Sequence, residues 1–225
     1  MFRKCSLFVI SMLFMLPAYG GLSAQAWESY AEKYNLSVPL LYAMALKESG
    51  KTVDGEFKPH PYAIGIGVHT SLGQLGHQGM YFDSKEEAVY ALQALLQAGY
   101  TNLGLGMMQV NIMANPEIVD NYADLFEPEI NMKAAGEVIE YCKRFGTINR
   151  LLSCYSHGDP DAEGGKVYAA KVFNYQNEYG KRIESILKPQ GQLTYQQFLK
   201  FTQYKTVSTN TSPVRQVKMV TMLNE

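Results

Sequence analysis

The sequence has no hydrophobic run of membrane-spanning length. The apolar stretch near its start, Cys5 to Leu16, covers 12 residues, whereas a helix needs about 20 to cross a bilayer. An excess of charge of one sign is also missing. Lysine and arginine number 20 against 21 aspartates and glutamates, which excludes nucleic-acid binding driven by bulk charge. Cysteine is scarce, at three residues. No Gly-x-Ser-x-Gly elbow occurs, and Gly65-x-Gly67 and Gly104-x-Gly106 lack both the third glycine and the strand-to-helix setting of a dinucleotide loop. There is no internal repeat. What is present, 47% hydrophobic and 12% aromatic residues, is too apolar for a disordered chain and marks a globular domain.

The first residues have the grammar of export. Arg3 and Lys4 precede the apolar run, and the small-x-small sequence Ala24-Gln25-Ala26 follows it, so residues 1–26 read as a cleaved secretory signal. A second possible site lies after Gly20, and an uncleaved amphipathic anchor is the alternative. No Leu-x-x-Cys lipidation box follows the run, since Cys5 precedes it. The expected location is periplasmic or secreted, with no stable transmembrane segment after cleavage. Without the leader the body, 27–189, is acidic, and the stretch 190–225 carries Lys200, Lys205, Arg215 and Lys218 against Glu225 alone. That stretch reads as a partly disordered C-terminal extension. In an oxidising compartment Cys142 and Cys154 form either one disulfide or two buried free thiols, and the spacing leaves both open.

Most of the body has helical signals. Ser37 and Pro39 open a helix to Ser49 with Gly50 as its stop. Ile64, Ile66 and Val68 alternate with Gly65 and Gly67, and Gly73, Gly76 and Gly79 follow, which fits short strands or a glycine-rich hairpin over 62–82. Ser84 and Glu87 form a capping box ahead of Ala88, Leu92, Leu95 and Leu96, with Gly99 as the stop. Helices are predicted from Asn131 to Gly146, through Leu151, Leu152 and Tyr155, from about Gly165 to Leu187, and over 194–204. The fold class expected is mainly α, with a small glycine-rich β-hairpin insertion.

Glu48 is oddly placed for a glutamate. It continues the apolar stripe of Leu41, Met44 and Ala45 at helical spacing and lies in the last turn, where the helix dipole opposes a carboxylate. Burial and the dipole both disfavour ionisation, which suits a general acid near neutral pH. The alternative at this point is a glutamate that turns into solvent or pairs with Lys47 or Lys51.

Glu48-Ser49-Gly50 closing a helix, Gly106-Met107-Met108-Gln109-Val110-Asn111, Asn131 with Ala134-Ala135, Cys154-Tyr155-Ser156-His157-Gly158 and Tyr168 to Val172 follow one another in this order. Together they resemble the soluble lytic transglycosylase family over roughly residues 30–180, which implies an α+β lysozyme-like fold. The resemblance implies cleavage of peptidoglycan glycan strands between N-acetylmuramic acid and N-acetylglucosamine. Glu48 would be the catalytic acid and base, and the muramoyl 6-hydroxyl would close a 1,6-anhydro ring in place of attack by water. It also implies that Ser49 and Tyr168 hydrogen-bond around Glu48, and that Met108, Gln109 and Tyr155 line saccharide subsites. Gly106, Asn111 and His157 would support them, with Gly106 allowing close approach of a sugar or of a neighbouring helix. Core packing is the competing role for Met108 and Tyr168.

The family's usual Ala-Tyr-Asn-x-Gly is replaced here by Cys154-Tyr155-Ser156-His157-Gly158, and Ser156 reproduces only part of an asparagine's hydrogen bonding. This variant, with His60-Pro61-Tyr62, resembles a branch linked to conjugative elements and type IV secretion, whose machinery proteins are the implied partners beside peptidoglycan. Two readings compete: a hydrolytic muramidase and a non-catalytic peptidoglycan-binding scaffold. His60, His69, His77 and His157 match no compact metal-ligand spacing, so no metal or other cofactor is expected.

Overall fold

A computed structural model describes residues 21–67 and 78–187. The leader run, Val68, Gly73, Gly76, His69, His77, the helix expected at 194–204 and the rest of the C-terminal extension lie outside the described residues. Six α-helices dominate. They are α1 (Ala24–Lys33), α2 (Val38–Ser49), α3 (Lys85–Gln97), α4 (Pro128–Lys143), α5 (Ile148–His157) and α6 (Glu163–Leu187), with a 3₁₀ turn at Tyr122–Phe126 ahead of α4. The mainly helical, lysozyme-like class expected from the sequence is the class observed.

The centre of the molecule is α2. Ser37 caps it, its Oγ accepting from the Leu40 N–H at 3.2 Å, and Pro39 sits in the first turn. Every residue from Val38 to Leu46 is buried, so the apolar face read as a stripe is in fact the whole circumference. A helix apolar all round must be enclosed. The enclosure comes chiefly from α6, and from α1, which places Trp27 edge-on to Tyr42 with ring centroids 5.1 Å apart. Beyond α6 lie α5 and then α4. Gly50 ends α2, though not through a left-handed turn: its φ is −56°, and it is glycine because a Cβ would stand 2.3 Å from the Phe57 ring.

The strands exceed the single hairpin expected. β1 (Lys51–Val53) and β2 (Glu56–Lys58) form a separate hairpin. Its turn, Asp54-Gly55, has φ of 53° and 78°, the two positive values of the hairpin turn that Asp-Gly favours. β3 (Ala63–Ile66) and β4 (Gln78–Tyr81) are the hairpin read from the glycines. β3 also pairs with β5 (Leu103–Leu105), and β5 with β6 (Val110–Asn111), giving a four-stranded antiparallel sheet ordered β4-β3-β5-β6.

Three boundaries differ from the sequence reading. α1 begins ahead of residue 27, with Ser23 as its cap and Leu22, Ala24 and Trp27 buried. α4 starts at Pro128, not Asn131, because proline suits the first helical turn; Glu127 before it makes no cap bond and instead pairs with Lys85 at 2.7 Å. α6 starts at Glu163, two residues before Gly165.

Cys142 of α4 and Cys154 of α5 form a disulfide, their Cα atoms 5.6 Å apart, which decides between the two states the spacing left open. Closing a loop of this size contributes about 3 kcal/mol in the chain-entropy account. Denatured without reductant, protein lacking residues 1–20 should therefore expose no titratable thiol, and reduction should lower its unfolding free energy by about that amount in urea titrations.

Candidate active site

At Lys47 and Glu48 the enclosed helix α2 regains a partly accessible surface. Tyr168, buried on α6, donates its hydroxyl hydrogen to Glu48 Oε1. The Lys47 ammonium stands 5.3 Å from the centroid of the Tyr168 ring, a cation–π distance. Although Glu48 keeps some accessible surface, its carboxyl lies deep among protein atoms. Burial raises its pKa above the ordinary 4.5, against the lowering effects of the Tyr168 hydrogen bond and the Lys47 charge. Among the described residues, no second carboxylate is one of the groups that act on Glu48. Tyr168 and Tyr155 are pushed well above the ordinary phenol range, first by burial and next by the charge of Glu48. Both stay protonated at any physiological pH, so Tyr168 is a permanent hydroxyl donor to the carboxyl.

The second wall is the turn from Gly106 to Gln109 between β5 and β6. It is fastened from three directions. Asn131, 1% exposed in the first turn of α4, accepts from the Met108 N–H at 2.8 Å and donates to the carbonyls of Leu105 at 2.8 Å and Leu125 at 2.9 Å. Tyr155 of α5 donates to the Met108 carbonyl at 2.8 Å. Ser49, next to Glu48, donates to the Met107 carbonyl at 2.7 Å and accepts from the His60 N–H at 3.0 Å. Gly106 has φ +75°, and a Cβ there would lie 2.2 Å from the Leu125 carbonyl oxygen and 2.3 Å from Asn131 Nδ2. The close approach that requires glycine is thus to a neighbouring helix.

Several residues do something other than expected. Ser49 ties the turn and His60 to the end of α2 and makes no hydrogen bond to Glu48. Met108 is completely buried, so its side chain belongs to the core, and only its backbone serves the turn. Gln109, at φ +50°, folds back to donate to the Gly106 carbonyl at 2.8 Å and the Ala63 carbonyl at 3.2 Å. Its Oε1 lies where a Cβ at Gly65 or Gly104 would be, 2.3 and 2.8 Å away. These two glycines are cross-strand partners, and together they leave a bare patch of sheet for the amide.

Asn111 shapes the next loop, its Oδ1 accepting from the Met113 and Ala114 N–H groups. His157 is exposed, its Nδ1 2.7 Å from Ser156 Oγ, and Ser156 otherwise turns to the carbonyls of its own helix. The structure thus gathers Glu48, Ser49, Gly106, Gln109, Tyr155 and Tyr168 and leaves His157 at the end of α5. Asn131 is the site residue that the sequence reading placed in a motif without assigning it a role; its signal was an amide on a helix face otherwise made of Met132, Ala135 and Ile139. Among the described residues no group of three His, Cys, Asp or Glu could hold a metal ion, and no helix is long and apolar enough to cross a membrane.

A raised Glu48 pKa carries a stability signature. Between the ordinary 4.5 and its raised value, the folded state holds the proton more tightly than the unfolded chain, so stability falls as pH rises through that window. Glu48→Gln has no proton to lose. Its denaturation free energy should lack that decline and exceed the wild-type value at neutral pH; parallel pH profiles for the two proteins would contradict the assignment.

Over 110 aligned residues the chain is 32% identical to the type IV secretion system protein virB1 of Brucella abortus, and the same figures hold for the proteins of that name from Brucella melitensis and Brucella suis. The alignment covers 44% of this chain and 43% of each relative, so it spans less than half the length of these proteins. No protein-family model matches the chain, and no solved structure matches it significantly. Over that stretch the chain is similar to a type IV secretion system protein, and type IV secretion is also what the branch that its motifs resemble is linked to.

Proposed function

We propose that this protein is an exported peptidoglycan lytic transglycosylase that opens the wall locally for a type IV secretion or conjugation machine. The observation that carries the reading is a single buried carboxyl, Glu48, with a raised pKa and a hydrogen bond from the protonated Tyr168. Protonated Glu48 gives its proton to the glycosidic oxygen as the bond from muramoyl C1 breaks, and the N-acetylglucosamine hydroxyl leaves. The substrate's N-acetyl group stabilises the oxocarbenium-like centre. The muramoyl 6-hydroxyl then bonds to C1, its proton passes to the Glu48 carboxylate, and the acid is restored. Because the nucleophile comes from the substrate, one carboxylate suffices, where hydrolytic glycosidases use two about 5 to 9.5 Å apart. Similarity to virB1 and an internal disulfide both support work outside the cytoplasm.

Digestion of purified peptidoglycan followed by mass spectrometry of the muropeptides tests the chemistry. The expected products end in 1,6-anhydromuramic acid, and Glu48→Gln should cut their release by about 10²- to 10⁴-fold. Reducing ends in their place would identify a hydrolytic muramidase. Sedimentation with insoluble peptidoglycan and no soluble product from pH 4 to 8 would identify a scaffold.

Export processing is part of the same proposal. Removal after Ala26 would strip Leu22 and Ala24 from the core and Ser23 from the cap of α1, whereas removal after Gly20 leaves the helix whole. Intact-mass measurement of protein recovered from the periplasm should give a chain beginning at Gly21, and a chain beginning at Trp27 would overturn that placement.

A further inference from the structure

The hairpin that follows Glu48 carries a local anomaly. Lys51 and Lys58 are direct cross-strand partners in β1 and β2, which puts two ammonium-bearing side chains on one face, a pairing that destabilises a hairpin. On the opposite face Phe57 packs against Tyr175 and Tyr179 of α6, so the hairpin is anchored there and presents the lysine face outward. Neither lysine has a carboxylate within ion-pair distance among the described residues. Lys51 rests 5.4 Å from the centroid of the Tyr81 ring. That is a cation–π distance, so Tyr81 compensates Lys51 in part, while Lys58 opposite it has no such ring contact among the described residues.

The two lysines line a cavity of about 440 Å³ together with Pro59, His60, Tyr62 and Asp83. That is room for a small ligand or a short peptide segment. Glu48 does not line it, but the cavity is built on the end of the same helix, since Ser49 Oγ holds the His60 N–H. His60 Nδ1 accepts from the Tyr62 N–H at 3.3 Å. This assigns the ring proton to Nε2, and burial together with the Lys51 charge keeps the ring neutral by lowering its pKa. The wall thus offers two lysines, a neutral imidazole and one carboxylate, Asp83; Gly21 lines it too, so a chain that begins there adds its α-ammonium to the cations. A simple anion would meet repulsion from Asp83, while a ligand bearing two or more carboxylates and an amine satisfies both signs of charge.

We propose that this cavity binds the charged end of the short peptides carried by the muramoyl residues of peptidoglycan, Lys51 and Lys58 taking carboxylates and Asp83 the free amine of a diamino acid. The assignment rests on the peptidoglycan reading above and extends it from the sugar to the peptide. Binding is tested without turnover by titrating isotope-labelled protein with a soluble stem tetrapeptide containing an uncrosslinked diamino acid, and in parallel with inorganic phosphate. The tetrapeptide should shift the amide signals of residues 51–62 and 83, phosphate at the same concentration should not, and Lys51→Glu should weaken the response at least about tenfold. No shift at millimolar tetrapeptide, or an equal response to phosphate, overturns the proposal.

A second arm compares kcat/KM on stem-bearing glycan with that on glycan stripped of peptides by an amidase. The wild-type ratio should favour stem-bearing strands and fall towards unity in Lys51→Met/Lys58→Met. A ratio unchanged by the double substitution overturns the proposal. The double variant should melt no lower than wild type, because the like-charge pair is gone. If wild type cuts neither glycan, the transglycosylase reading fails, and the titration still decides what the cavity binds.

Discussion

A helix with no polar face exists in water only if other elements cover every side of it. α2 is such a helix, and much of the surrounding architecture follows from covering it. α1 and α6 lie against it, α5 and α4 extend that layer, and surface returns only in the last turn. The carboxyl of Glu48 sits at that exit from the core. Its raised pKa is therefore a direct result of where the enclosing layer stops: the desolvation that disfavours the charge comes from the same packing that holds the helix.

Around this exit the molecule uses hydrogen bonds where a site on mobile loops would rely on closure. The Gly106–Gln109 turn has backbone groups held by Asn131, Tyr155 and Ser49, which come from α4, α5 and α2. Each of these side chains is at least partly buried and fully committed, which makes the wall opposite Glu48 stiff. With this kind of preorganisation the cost of ordering falls on folding, not on any later binding. The neighbouring hairpin follows the opposite logic, with like charges held face to face and only Lys51 of the two resting on an aromatic ring.

Local chemistry was legible in the sequence wherever a few adjacent residues decide the outcome. Ser37 with Pro39, Ser84 with Glu87, and the glycines around Ile64 marked two helix caps and a hairpin that the structure contains, although Glu87 Oε2 accepts from the Asp83 N–H and not from that of Ser84, as a capping box requires. Glu48 was picked out from its place on an apolar face, and the structure buries that helix more thoroughly than the pattern implied. What the sequence concealed depends on partners distant along the chain. Pairing of β3 with β5 joins residues some forty positions apart, and no local period announces it. The choice left open for Met108 and the turn of Ser49 away from Glu48 have the same cause, since a motif tells which residues gather but not which way each side chain turns. Asp54-Gly55 was a readable turn signal that the reading passed over.

The disulfide between Cys142 and Cys154 has a bearing on more than stability. Asn131 and Tyr155 approach Met108 from α4 and α5, the two helices that this bond links, and Tyr155 is the residue next to Cys154. The two hands that grip the turn are therefore shackled at the wrist. Fraying of either helix moves both grips together, and the phenol cannot swing off its carbonyl by a simple parting of α4 from α5. A covalent bond between the two helices thus bears on where the turn sits against the end of α2.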